Sequence, residues 1–535
     1  MSSASSPAPS SARPEQPIPW SGLTAVLLGT FISTLNGRLS TFGLNDIRGA
    51  LHAGFDEGAW ITTAQTTAQM LVLPLAMWLG ALFGARRVLI FAALAFAVVA
   101  FVEPFSTSLP ELLAFQFLGG LASGFFIPLT LSYILRSMPP RYWAYGIALY
   151  ALNLELSLNI SASLEGWYVD HLSWRWIFWQ NAPLALGMAA CLWFGTHRDP
   201  TAPVVPPRPD LFGLISGGLG LALIYAALDQ GNRLDWLNSG LIVGLLAAGA
   251  VLVVGLVAHE RLYATPALNL RIIFTGVLPG LLLLVAFLRL TILSTAYLIP
   301  QFLTTVRGFR APEVGETLMW IAIPQFAVCA LAGVMLRRFD PRLVASIGLM
   351  LIAVACLEVA HGLTAVWSSD QFAHSLLWQA LGQSMALSGV VFYAVLHLDP
   401  KYALTFGGAI QTARLLGGEL GAAFTATLVR VRGQIASNQL GLHVQSGDLA
   451  VVHRLNLYAA AAGRGAGPTV ADGRALVVLD QAVRSAASAQ AVIDSFVVLA
   501  GMAALALLLL SVHRPAPPGP ASHRPLFGGP SGAGP

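Results

Sequence analysis

The chain has 535 residues, of which 56% are hydrophobic and only 10% charged. Soluble globular chains carry about 25% charged residues, so this composition excludes a water-soluble enzyme, a disordered chain and a nucleic-acid binder. The net charge of +4 invites acidic partners, but in so apolar a chain the position of each charge matters more than the sum.

A helix crosses about 30 Å of hydrocarbon with roughly 20 apolar residues. In chain order, stretches poor in charge centre on 18–37, 58–79, 88–107, 110–135, 143–165, 176–196, 211–229, 238–258, 273–299, 314–336, 343–363, 372–397, 402–430 and 493–513. They predict an all-α integral membrane protein with 14 transmembrane helices. Residues 1–17 and 514–535 are rich in Pro, Ser and Gly and read as disordered tails. The Ser/Pro-rich start lacks the basic region of a signal peptide. Residues 431–492 read as a long outer loop carrying Gly/Ala-rich stretches and an amphipathic helix near Gly473–Ala491. A passive hairpin is the plain reading of that loop, and a docking surface the alternative.

Orientation follows from the basic residues of short loops and tails. With the N-terminus inside, fifteen fall on the cytoplasmic side, among them Arg86, Arg87, Arg198, Arg208, Arg271 and Lys401, against five outside: Arg48, Arg175, Arg233, Arg307 and Arg310. Both termini are therefore expected in the cytoplasm. A weak internal repeat is also present. Gln116-Phe-Leu-Gly119 opens a span ending at Pro140-Arg141-Tyr142, and Gln379-Ala-Leu-Gly382 opens one ending at Pro400-Lys401-Tyr402. Each is the fourth helix of a six-helix set if spans 7 and 8 are an insertion. The expected organisation is a first half at 18–196, two inserted helices with linkers at 197–272, and a second half at 273–513 that includes the outer loop. Two related halves around a central site are the architecture of many secondary transporters.

An ionisable side chain at the bilayer centre costs about 2.5–3.5 kcal/mol, so it usually faces protein or a watery cavity. Glu155 in span 5, Arg289 in span 9, and Arg414 and Glu419 in span 13 lie near the midplane, and Arg38 nearer the outer end of span 1. Arg414 and Glu419 are five apart and point about 140° away from each other, so each needs a partner on another helix. A carboxylate in a low-dielectric site can carry a proton, and an arginine can hold an anionic group. The structural alternative is a fixed ion pair that only joins two helices, as probable as function for Arg414. The G-x-x-x-G spacings at Gly80/Gly84, Gly120/Gly124 and Gly417/Gly421 read as close helix packing. Cys191, Cys329 and Cys356 have neither metal nor disulfide spacing. No histidine pair has metal spacing, no phosphate-binding G-x-x-x-x-G-K-[ST] is present and no nucleophile–base set stands out. No enzyme, metal or cofactor is expected.

The run Trp174-Arg-Trp176-Ile-Phe178-Trp-Gln-Asn181-Ala-Pro183, together with Asp229-Gln-Gly231, Asp235-Trp236, Pro139-Pro140, Pro300-Gln301 and Arg414, resembles the major facilitator superfamily. Within it the chain resembles the fourteen-helix drug:proton antiporters of the EmrB/QacA type. The resemblance covers about residues 18–513. Four motifs depart from the family's pattern. Asn36 stands where its first helix carries an acid. The loop Gly80-Ala-Leu-Phe-Gly84-Ala-Arg86-Arg87, the gating loop of the family, is shortened and lacks its Asp. Gln116 replaces the Arg of helix 4, and Ile160-Ser-Ala-Ser-Leu-Glu165-Gly166 replaces the antiporter motif of helix 5. All four touch elements tied to proton coupling or gating in the family.

The resemblance implies two six-helix major-facilitator halves plus two inserted helices. Helices 5 and 13 would lie at the junction of the halves, and helices 1 and 9 would line the cavity. On that footing Glu155 or Glu419 is expected to pair with Arg289 or Arg414 across the cavity. Glu155 and Glu419 are the candidate proton carriers, and Arg289, Arg414, Arg38, Asn36 and Gln116 the candidate cavity and substrate residues. The expected function is secondary transport in the cell inner membrane, exporting small amphipathic or anionic compounds by alternating access. The family also implies a periplasmic adaptor and an outer-membrane channel as partners. The alternatives are a uniporter without proton coupling and a non-transporting scaffold or sensor working through 431–492.

Overall fold

The computed structural model describes residues 20–195, 210–262, 270, 273–398, 402–444, 448–462 and 468–516. The tail 1–17, most of the tail 514–535, and Arg198, Arg208, Arg271 and Lys401 lie outside the described residues. Among the described residues there are helices and turns but no strand. The fourteen long helices are α1 Trp20–Phe42, α2 Trp60–Phe83, α3 Ala85–Val102, α4 Leu109–Arg136, α5 Trp143–His171, α6 Trp176–Phe194, α7 Leu211–Gly231, α8 Gly240–Leu262, α9 Leu278–Thr305, α10 Ala311–Arg338, α11 Pro341–Gly362, α12 Ser369–Leu396, α13 Ala403–Leu442 and α14 Pro468–Val512. Twelve are long and apolar enough to cross a membrane by length and composition alone. The other two, α1 and α13, carry Asn36 and Arg38, and Arg414 and Glu419, which dilute their apolar character.

Local chemistry fixes many of the helix ends. The Asp210 carboxylate caps α7 by accepting from the Gly213 amide at 2.9 Å, and Asp340 caps α11 through the Arg342 amide at 2.9 Å. Glu313 closes the start of α10 by accepting from the Arg310 amide at 2.8 Å. Such caps satisfy amides that no carbonyl of the helix reaches. Gly84 ends α2 at φ +84°, a left-handed conformation that glycine adopts without strain.

The packing repeats. In the first half α2 packs on α4, α1 on α5 and α6, and α3 on α6; in the second α10 packs on α12, α9 on α13 and α14, and α11 on α14. With α7 and α8 set aside, these are the same neighbours six helices on. The halves meet in the same paired way, α5 against α10 and α12, and α13 against α2 and α4. Each of α2 and α10 carries an internal proline, Pro74 and Pro324. This is the six-plus-two-plus-six arrangement of the fold. The inserted α7 packs on α2 and α13, whereas α8 packs chiefly on α7 and buries only Ile242, Gly249 and Leu256. Gly120 and Gly124 leave α4 so close to α2 that a Cβ would collide with the backbone of Gln65 and Gln69, and Gly417 does the same for α13 against Ala286 of α9.

The expected outer loop at 431–492 is largely helical. α13 has 40 residues and α14 has 45. At about 1.5 Å per residue each far exceeds the ~30 Å of hydrocarbon. The two run on together, joined by Arg432 Nε to Asp494 Oδ2 at 2.6 Å, with the helix Leu449–Ala462 packed against α14. The sequence at Gly473–Ala491 is not a separate amphipathic helix but the first half of α14. Its alanine-rich composition sustains one helix from the projection into the membrane, so nothing local stops it.

Candidate functional site

Five long polar side chains converge where the halves meet. α5 brings Glu155 and Tyr150, both with no exposed surface. α9 brings Arg289, whose Nη1 lies 3.7 Å from Glu155 Oε1. α13 brings Arg414, 5% exposed, whose Nε donates to Gln411 Oε1 at 2.9 Å and whose Nη1 reaches Thr34 Oγ1 of α1 at 3.5 Å. Arg414 is within electrostatic reach of Arg289, Tyr150 and Glu155. Arg38 is within reach of Arg289; it donates from Nη2 to the Ala296 carbonyl of α9 at 2.9 Å and packs over the Phe42 ring at 5.1 Å. Ala296 lies in the one π-helical turn of α9, Ser294–Leu298, a geometry that often marks functional bends.

The Glu155–Arg289 contact is electrostatic, since 3.7 Å is too long for a hydrogen bond. Both carboxylate oxygens of Glu155, and Nε and Nη1 of Arg289, are buried without a hydrogen-bond partner. Buried charged groups are normally fully bonded, so this centre has free capacity to bind. When ionised, the guanidinium groups of Arg289 and Arg414 both act on the single Glu155 carboxylate, and that of Arg38 acts on Arg289.

Glu419 belongs elsewhere. Facing away from Arg414 on the same helix, it accepts from the Tyr225 hydroxyl of α7 at 2.9 Å and lies within electrostatic reach of Asp229, also of α7. The Asp229 carboxylate in turn accepts from the Thr63 hydroxyl of α2 and from Gln230 Nε2 at 3.2 Å. Of the two carboxylates expected to meet an arginine, only Glu155 does so. Asp229 stood in a quoted motif without being singled out. Its signal is an acid two residues before the end of an apolar span.

The remaining expected residues fall at helix contacts. Asn36 Oδ1 accepts from Asn181 Nδ2 of α6 at 2.7 Å. Gln116 of α4 is 1% exposed and reaches Ser40 of α1 at 3.4 Å. Its counterpart in the repeat, Gln379 of α12, donates to Ser294 of α9 at 3.0 Å. The twinned glutamines therefore tie the first and fourth helix of each half. Gly80 packs on Leu129 and Leu404. Arg86 donates to the Leu192 and Trp193 carbonyls of α6, both at 2.9 Å. In the replaced antiporter motif small residues still join the halves, with Ser163 Oγ donating to the Gly315 carbonyl at 2.8 Å.

Residues 26–422 match the family described as Major Facilitator Superfamily. The chain belongs to that superfamily. As a superfamily member it is a multi-pass membrane transporter and not an enzyme. Its relatives include the probable multidrug resistance protein EmrY of Escherichia coli, 26% identical over 79% of this chain and 82% of that protein. Another is the fatty acid resistance protein FarB of Neisseria gonorrhoeae, 24% identical over 78% of this chain and 82% of that one. Among solved major facilitator structures, the proton:xylose symporter XylE superposes with a TM-score of 0.56 at 12% identity, covering 92% of this chain and 94% of that chain. The human organic anion transporter MFSD10 does so with 0.55 at 15% identity, over 92% and 100%.

Proposed function

We propose that this major facilitator protein exports amphipathic anions across the inner membrane in exchange for protons, with both termini in the cytoplasm. The observation that carries the reading is the buried Glu155–Arg289 pair, short of hydrogen bonds within a centre of three arginines and one carboxylate. A carboxylate or sulfonate substrate would bond to Arg289 and Arg414 and complete that coordination, while its apolar part lies against the neighbouring helices. The name of FarB, a fatty acid resistance protein, points to the same chemical class. The substrate displaces Glu155 from Arg289; once it has left, Glu155 returns to Arg289, the acidic cluster of Glu419 and Asp229 carries the inward proton on the return step, and the halves rock about the α5–α10 and α13–α2 contacts. Arg38, held to the Ala296 carbonyl, Asn36 and Gln116 support the wall of the cavity, and the loop Gly80–Gly84 with Arg86 and Arg87 gates its inner end.

The test is efflux from proteoliposomes under an imposed pH gradient, comparing decanoate with the cation tetraphenylphosphonium. Decanoate should move and Arg289→Ala should lose roughly tenfold in rate at low substrate, about 1.4 kcal/mol of lost anion binding. Transport of the cation alone would overturn the anion reading, and decanoate efflux indifferent to the pH gradient would overturn the exchange. The projection built by α13, α14 and Leu449–Ala462 is the surface we assign to a periplasmic adaptor, leading to an outer-membrane channel. Removing 449–462 should leave proteoliposome efflux intact and abolish export in cells.

A further inference from the structure

A second opening lies apart from the arginine centre, on the outer wall of the first half. A groove of about 530 Å³ runs between α2, α3 and α4. Ala92, Ala95 and Ala122 line it with small side chains, and Phe83, Phe91 and Leu118 border it. Phe83, Phe91 and Leu118 are 53, 76 and 48% exposed, so the groove opens outward, toward the lipid. A volume of this size is typical of small-molecule sites.

One lining residue is charged. Arg87 stands in the first turn of α3, and among the described residues it has neither an ion pair nor a hydrogen bond. Its neighbour Arg86 is engaged with the two carbonyls that end α6. The first turn of α3 holds no acidic residue. A cation at a helix N-terminus is unfavourable, and the free amides there attract anions. From Arg87 to Ala95 the helix rises about 12 Å, so the groove runs from the headgroup level into the hydrocarbon.

We propose that this groove holds an acyl chain of an anionic phospholipid whose phosphate is gripped by Arg87 and the first turn of α3. Basic sites at the cytoplasmic ends of transmembrane helices are suited to such headgroups. A free anion would leave the apolar groove unfilled, and a neutral lipid would leave Arg87 unmatched.

The test uses the full chain, delipidated in detergent and titrated with phosphatidylglycerol, phosphatidylcholine or inorganic phosphate under native mass spectrometry. Phosphatidylglycerol should bind more tightly than phosphatidylcholine. Arg87→Gln should weaken phosphatidylglycerol about fivefold and erase the preference, while Arg87→Lys keeps it. Ala95→Phe should weaken both lipids by filling the groove. Arg87 is exposed and Ala95 half-buried, so neither substitution threatens folding, and unchanged thermal unfolding confirms it. Equal binding of the two lipids overturns the proposal, as does a preference that survives Arg87→Gln. Displacement of phosphatidylglycerol by inorganic phosphate at equal concentration overturns the lipid as occupant, and displacement by decanoate alone assigns the groove to a transported compound instead.

Discussion

Two polar clusters share α13 and carry opposite charge. On one side Arg414 joins Arg289, Arg38 and Glu155, a centre dominated by guanidinium groups and built from both six-helix halves. On the other, Glu419 meets Asp229 and Tyr225 of the inserted α7. Two neighbouring carboxyl groups repel when both are ionised, and a proton on either one relieves the pair. The first centre is suited to an anion and the second to a proton. The inserted α7 is therefore more than a lipid-facing addition, since it supplies Asp229 and Tyr225 to the acidic cluster.

The largest expected effect breaks the first cluster. Glu155→Ala leaves Arg289 buried without its counter-charge and should destabilise the protein by roughly 3–5 kcal/mol, read as a drop in Tm in detergent. The double variant Glu155→Leu/Arg289→Met removes both charges at similar volume and should recover most of that loss. If the double variant is no more stable than Glu155→Ala, the pair is not what holds these helices. The next effect tests the division of labour. Glu419→Gln and Asp229→Asn each remove one carboxyl of the acidic cluster, so each should lower pH-gradient-driven efflux about tenfold, or about 1.4 kcal/mol, while leaving decanoate binding unchanged. An equal loss of binding would merge the two clusters into one site.

A smaller change reverses the character of the arginine centre. Asn36→Asp restores an acid on α1 beside Asn181. With one more negative charge the preference for anions over cations should fall about fivefold, on the order of 1 kcal/mol, measured by competition between decanoate and tetraphenylphosphonium. No change would place Asn36 outside the field of the cavity.

Twelve of the fourteen long helices were legible because crossing a bilayer demands a run of apolar residues whatever its neighbours are. The glutamine repeat was legible for a different reason: Gln116 and Gln379 do the same job in each half, so the sequence keeps both. The reach of α13 and α14 was hidden, because alanine-rich helix and alanine-rich loop share a composition when no cap or proline separates them. At the centre, the cost of burying charge singled out Glu155, Arg289 and Arg414, and their opposite sign narrowed the pairing. Nothing along the chain told Glu419 from Glu155, since its partner depends on which face of α13 meets α7. Asp229 was obscured by its place near a helix end, where an acid usually reaches water.

The smallest prediction concerns Tyr225, and it separates holding a proton from holding a fold. Its hydroxyl donates to Glu419 at 2.9 Å, while its ring, 8% exposed, packs with Met70, Leu73 and Ala222. Tyr225→Phe keeps the ring and deletes one hydrogen bond, which should cost roughly 1 kcal/mol of stability. If that bond only braces α7 against α13, Tm falls slightly and efflux keeps its dependence on pH. If the hydroxyl belongs to the proton site, the pH at which efflux is half-maximal moves as well, because Glu419 has lost a hydrogen-bond partner. Asp229 keeps its own donors, Thr63 and Gln230, so the shift should be smaller than that from Asp229→Asn. A variant with unchanged Tm and an unchanged pH profile would show that α7 touches α13 there without sharing its chemistry.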